Sequence, residues 1–233
     1  MHIAILMTNT DESAFAQKHP KDGEKFQRLL SPLRPDWVFS VFSVKDGLFP
    51  QDITIFDGLI ITGSPASVHD DEPWIKELMA LIRLAHGSEI PLYGACFGHQ
   101  AIAVALDGKV QTNPSSWVFG RVETQLEQPW DKTVSNLSLY GAHLEQVTQL
   151  PSGAVITGHS DGCPIASFAI GKTIWTTQYH PEMTPAFVAA LVEEYSSVLP
   201  GEVIAAARES LAKEADQGAI ATAIAQFFEA SVS

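Results

Sequence analysis

Short apolar runs and longer amphipathic segments alternate through the N-terminal part of the chain. Ile3–Met7, Trp37–Val44, Gly58–Thr62 and Pro91–Ala95 have the length and apolar density of strands. Between the third and fourth runs, Ile75, Leu78, Ile82 and Ala85 recur at helical spacing, with Pro73 near the start and Gly87 at the end. A helix accepts a residue without an N–H in its first turn and stops readily at glycine. Strand runs separated by helices predict a parallel sheet with helices packed on its faces.

The pattern changes beyond the fourth apolar run and the alanine-rich stretch that follows it. From about Lys109 to Glu127 it reads as strand and loop, with Asn113-Pro114-Ser115-Ser116 as a turn. Ala154–Thr157, Pro164–Ala169 and Thr173–Tyr179 are strand-like, and Asp161-Gly162 between two of them predicts a hairpin. The second half of the sheet is therefore expected to be partly antiparallel. Helical patterns over Thr184–Val198, Glu202–Glu214 and Gly218–Ala230, broken at Pro200-Gly201 and Gln217-Gly218, close the chain. No linker, repeat or low-complexity tract interrupts the pattern. Residues 1–233 are read as one α/β domain with a mixed, mainly parallel central sheet flanked by helices.

Composition narrows the function more than the fold. With 45% hydrophobic and 18% charged residues, the chain can bury a substantial core and does not resemble a disordered polypeptide. A formal charge of −13, with only 14 Lys and Arg, argues against a nucleic-acid partner. No run approaches the roughly 20 apolar residues of a membrane helix, and no basic segment precedes His2–Met7 as it would in a signal peptide. Two cysteines, Cys96 and Cys163, are too few for a disulfide framework or a zinc site of cysteine pairs. The expected setting is cytoplasmic, with no metal and no cofactor.

Cys96 stands in a distinctive context. The apolar strand ending at Ala95 runs into Gly94-Ala95-Cys96-Phe97-Gly98 and then an alanine-rich helical stretch. Strand, sharp turn and helix with glycines on either side form a nucleophile elbow, in which the turn lifts its apex residue clear of the sheet. The helix beginning after Cys96 directs its positive end at a thiolate. Cys96 is thus expected at an exposed apex as a nucleophile, against the plainer reading of a small buried cysteine. Cys163 lacks such a setting and is read as structural.

His180 and Glu182 follow a strand-like run and flank Pro181. Residues two apart in an extended chain share a face, and Pro181 biases His180 toward extended backbone. The pair is expected side by side at the carboxyl end of a strand, where open α/β sheets place their sites. A thiol, an imidazole base and a carboxylate that orients the imidazole suit nucleophilic catalysis on an amide.

Gly94-Ala95-Cys96-Phe97-Gly98-His99-Gln100 and Gln178-Tyr179-His180-Pro181-Glu182 resemble the two signature segments of the class I glutamine amidotransferases, in the family's order. Gly63-Ser64-Pro65-Ala66-Ser67-Val68 resembles that family's loop after the third strand, with Ser64 at the position of a glycine. The resemblance implies a flavodoxin-like fold and catalytic roles for Cys96, His180 and Glu182. It also implies an oxyanion hole from the backbone N–H groups of Ser64 and Phe97, which tolerates side-chain change because only the backbone donates. It further places Gln100, and backbone near Ser116 and Trp117, against the amino-acid end of glutamine. His143 lies in a segment similar to one in the guanylate-synthase branch, and it and His99 are read as structural.

Three functions remain open from the sequence. The favoured one is an amidotransferase-type glutaminase that releases ammonia, with a separate synthetase subunit as acceptor because no phosphate-binding P-loop is present. The second is a free-standing γ-glutamyl peptide hydrolase. The third is a non-catalytic binding or regulatory protein that keeps the fold.

Overall fold

A computed structural model describes residues 1–127 and 135–231. Among the described residues its central sheet has nine strands in the order β2-β1-β3-β4-β11-β10-β9-β6-β7. Five of them are parallel: β2 (Val38–Ser43), β1 (His2–Met7), β3 (Gly58–Ile61), β4 (Leu92–Ala95) and β11 (Ile174–Thr177). Beyond β11, the strands β10 (Cys163–Ile170), β9 (Ala154–Ser160), β6 (Val118–Leu126) and β7 (Asn136–His143) pair antiparallel. A separate ribbon joins β5 (Lys109–Thr112) to β8 (Glu145–Gln149).

The interior strands are apolar without alternation because both faces are covered. Ile3 to Leu6 and Leu59 to Ile61 are fully buried, as a parallel strand between helical layers requires. Edge strand β2 instead exposes Val38 and Val41. Helices α1 (Asp22–Leu30) and α6 (Gln217–Ser231) cover one face, with Phe26, Leu30, Ile224 and Phe228 packed against Ile3, Ile5, Ile60 and Tyr93. Helices α2 (Pro73–Gly87) and α3 (Phe97–Ala105) cover the other.

α2 begins with Pro73 in its first turn and buries Ile75, Leu78, Ile82 and Ala85, the stripe its spacing predicts. Each Leu or Ile so buried contributes about 1.5–3 kcal/mol. Helix α4 (Pro185–Glu194) starts where the Thr184 hydroxyl accepts the Phe187 N–H at 3.2 Å. A 3₁₀ turn over Tyr195–Ser197 then separates it from α5 (Gly201–Ser210), so the first two of the three C-terminal helices end earlier than the sequence suggests, whereas α6 runs to Ser231. The hairpin at Asp161-Gly162 forms, with Gly162 at φ +75°.

One boundary difference shapes the site. The sequence extends the last strand to Tyr179, yet β11 ends at Thr177, which pairs with Ala95, the last residue of β4. Cys96 then turns to φ 50° and removes the partner strand. The chain leaves the ladder there, and the His180 N–H instead donates to the Tyr140 carbonyl on β7 at 2.8 Å.

Candidate active site

Cys96 sits between β4 and α3 at φ 50° and ψ −102°, a backbone conformation that a side-chain-bearing residue rarely adopts. The flanking glycines make the turn possible. A Cβ on Gly94 would stand 2.7 Å from the Gly98 carbonyl carbon, and one on Gly98 would run into the Ile61 backbone of β3. The sequence places Cys96 at an exposed apex. It is instead only 4% exposed, because the loops after β1, β3, β7 and β11 rise around the sheet's carboxyl edge. The resulting cavity of about 620 Å³ is lined by Cys96, His180, Gln100, Trp117, His143 and Glu145 among others.

The His180 Nδ1–H donates to Glu182 Oε1 at 2.7 Å, with both side chains almost wholly buried. This leaves Nε2 as the ring's other nitrogen, and the ring and Cys96 face the same spot: a Cβ on Gly63 would stand within 3.6 Å of both His180 and Cys96. Burial pulls the His180 pKa down, but the Glu182 charge and the Cys96 side chain pull it up and win, so the ring lies well above its ordinary range. Burial likewise raises Glu182, but His180 outweighs it and the carboxyl titrates below its ordinary value. Gly63 closes over this pair: a Cβ there would meet His180 Cε1 at 2.5 Å.

The loop carrying Ser64 is fixed from below. The Thr8 N–H donates to the Thr62 hydroxyl at 3.0 Å, and the Thr8 hydroxyl donates to the Gly63 carbonyl at 3.0 Å. The Gly98 N–H on α3 donates to the Thr62 carbonyl at 3.2 Å, tying the elbow to the loop. Ser64 Oγ is engaged by the Ala66 N–H at 3.2 Å. Among the described residues, the Ser64 and Phe97 N–H groups donate to no backbone carbonyl.

Gln100 and Trp117 line the cavity, whereas Ser116 is exposed and lies outside its wall. Asn113 Oδ1 accepts the Ser115 N–H at 3.0 Å, and this turn leaves Ser116 exposed before Trp117, just ahead of β6, joins the wall. Gln100 Nε2 donates to the Glu145 carbonyl at 2.7 Å and to Gln178 Oε1 at 3.3 Å. Gln178 in turn donates to Cys96 Sγ at 3.7 Å. Gln178, Gly63 and Thr8 are contacts that sequence reasoning leaves unassigned. The first two stand inside the quoted motifs, and Thr8 carries no local signal.

His99 and His143 are buried and neutral. Burial lowers the His99 pKa to about 3 and that of His143 to about 4, each further depressed by a neighbouring histidine. The unfolded chain binds protons at these imidazoles from about pH 6.5 downward while the native state does not. Their contribution is therefore complete above pH 6.5 and is lost as pH falls toward about 4 for His143 and 3 for His99. A thermal melt series should show the melting temperature falling steadily below pH 6.5. His143→Asn should flatten that slope by on the order of 3 kcal/mol at its acid end. An unchanged slope would contradict the neutral buried state.

A model of the class I glutamine amidotransferase family matches residues 43–188, which include Ser64, Cys96, His180 and Glu182. The chain belongs to this family. It is 28% identical to a glutamine amidotransferase-like protein of Schizosaccharomyces pombe, over 82% of this chain and 83% of that one. Gamma-glutamyl peptidase 2 of Arabidopsis thaliana is 26% identical over 75% of each chain. A GMP synthase of Porphyromonas gingivalis is 32% identical over 58% of this chain, but the match spans only 26% of that longer protein. A solved glutamine amidotransferase structure from Methylobacillus flagellatus superposes with a TM-score of 0.66 at 26% identity, covering 84% of this chain and 74% of that one. The mixed, mainly parallel sheet flanked by helices is the architecture of this family. No helix among the described residues is long and apolar enough to cross a membrane.

Proposed function

We propose that this amidotransferase-family domain hydrolyses the γ-amide bond of γ-glutamyl compounds through a thioester on Cys96. The observation that carries this reading is the convergence in one cavity of a cysteine at φ 50° and an imidazole anchored to a buried carboxylate at 2.7 Å. His180 takes the thiol proton, and Sγ attacks the γ-carbonyl carbon. The N–H groups of Ser64 and Phe97 hold the developing oxyanion. His180 then gives its proton to the departing nitrogen as the C–N bond breaks, and Glu182 stabilises the imidazolium throughout. Water, deprotonated by His180, cleaves the thioester and releases glutamate. Gln100 holds the amino-acid end of the substrate, a role supported by its position in the cavity wall beside Gln178.

Two observations favour a γ-glutamyl amide with a substantial leaving group over glutamine itself. The cavity of about 620 Å³ has the size of sites for larger ligands. The peptidase relative also matches over most of both chains, whereas the synthase match covers a fraction of a longer protein. The second reading, an ammonia-releasing glutaminase docked on a synthetase, rests on that synthase similarity.

Offering the purified protein glutamine and a set of γ-glutamyl dipeptides separates the two. The expected result is kcat/KM at least tenfold higher for dipeptides, a barrier difference of about 1.4 kcal/mol. A preference for glutamine of the same size would reverse the ranking. Ser64→Pro removes one oxyanion N–H and should lower kcat by about 10²- to 10³-fold. Ser64→Ala keeps the N–H and should stay within about threefold of wild type in the same steady-state assay. A badly impaired alanine variant would move the role from the backbone to the hydroxyl.

A further inference from the structure

Part of the cavity wall is aromatic in a way that neither the nucleophile nor the glutamyl group requires. Phe15 and His19 lie with ring centroids 4.5 Å apart, and both meet Phe187, at 5.9 and 5.1 Å. Phe119 and Tyr195 meet at 6.1 Å. All five rings line the cavity that holds Cys96 and His180, and all five are only partly buried. Apolar surface left in water costs roughly 25 cal/mol per Å² relative to its burial. Phe15, Phe119, Phe187 and Tyr195 pack on a core that includes Val188, Leu191 and Val203 and also line the cavity, so the wall offers apolar surface to a ligand.

Lys25 and Lys45, which line the same cavity, are both ion-paired. Lys25 bonds Asp22 at 2.8 Å with its ammonium 3.7 Å from the centre of the Phe187 ring, and Lys45 bonds Glu12 and Asp46 at 2.7 Å each. Neither lysine is left to seek a carboxylate. The polar wall is a different patch: Ser67 donates to Glu145 Oε2 at 2.8 Å, Gln100 donates to the Glu145 carbonyl, and Gln178 connects Gln100 to Cys96. A zwitterionic glutamyl end needs those polar partners, whereas the aromatic patch could not solvate its charges.

Building on the proposed γ-glutamyl chemistry, we infer that the aromatic patch of Phe15, His19, Phe119, Phe187 and Tyr195 is the leaving-group subsite. It selects γ-glutamyl amides whose departing amine carries an aromatic ring. The ring stacks edge-to-face in the patch while its nitrogen stays at His180 for protonation. Selectivity then arises beyond the scissile bond, and small amines bind without filling the patch.

Calorimetry on the Cys96→Ala protein tests this without turnover, using γ-glutamyl-phenethylamide and γ-glutamyl-methylamide. The phenethylamide should bind at least tenfold more tightly. Phe187→Ala added to that background should reduce the preference below threefold, while Phe187→Leu, which preserves packing, should retain more of it than alanine does. Equal affinities, or a preference unchanged by Phe187→Ala, would overturn the subsite. Parallel wild-type assays of amine release keep the two ideas apart. A tight, Phe187-dependent preference without turnover upholds the subsite and removes the chemistry. Turnover of both amides with equal affinity upholds the chemistry and removes the subsite.

Discussion

Cys96→Ala is expected to abolish release of amine and ammonia while the protein melts within about 3 °C of wild type, a shift of roughly 1 kcal/mol for a domain of this size. The activity loss is expected to be complete because no other group in the cavity can form the thioester. Cys163 is fully buried in the core layer beneath α6, where burial pushes its thiol up to about 12. The stability effect is small because alanine removes only the sulfur and inherits the same φ of 50°, so the strain of the turn is common to both proteins. What is lost is the sulfur's modest contact with Gln178 at 3.7 Å and its electrostatic interaction with the His180 ring. Amine release retained above a few per cent, with intact mass confirming the substitution, would remove Cys96 from the reaction.

His180→Ala should lower kcat by at least about 10³-fold, since one side chain serves both thiol deprotonation and leaving-group protonation. It should also destabilise the fold, by about 3–5 kcal/mol, because it strands the Glu182 carboxylate in the interior. Glu182 is 3% exposed and its Oε2 has no partner among the described residues. The two losses can be separated. Adding Glu182→Gln to His180→Ala neutralises the buried group and should recover much of the melting temperature without recovering activity. Glu182→Gln alone keeps an acceptor for Nδ1–H and should be milder than His180→Ala in steady-state kinetics. If it were the more harmful, the roles assigned to the pair would be exchanged.

The same pair sets a pH window. The raised His180 contributes stability fully present below pH 6.5 and lost as pH rises through its higher native value. The lowered Glu182 contributes stability present above pH 4.5 and lost as pH falls through its lower native value. Between those limits neither contribution is lost, and Glu182 Oε1 keeps its bond to the His180 ring at 2.7 Å.

The parallel half of the fold is legible because its strands are continuous apolar runs and α2 carries a clean stripe between Pro73 and Gly87. The elbow is legible because Gly94 and Gly98 answer a local steric demand. Cys96 burial is not, since it depends on loops from four strands meeting over the sheet edge. Nor is the early end of β11: Thr177 stops because Ala95 does, a consequence of pairing that no local pattern at 178–180 records. The aromatic wall escaped for the same reason. Phe15, Phe119 and Phe187 come from a loop, a strand and a helix far apart in sequence, and each alone reads as ordinary core.

Treating the protein with a diazoketone analogue of glutamine and mapping the adduct by peptide mass spectrometry tests the nucleophile assignment most directly. The account predicts one adduct per chain, on the peptide containing Cys96, absent in Cys96→Ala and slowed by excess γ-glutamyl substrate. Labelling at Cys163, or no labelling at either cysteine, would contradict it.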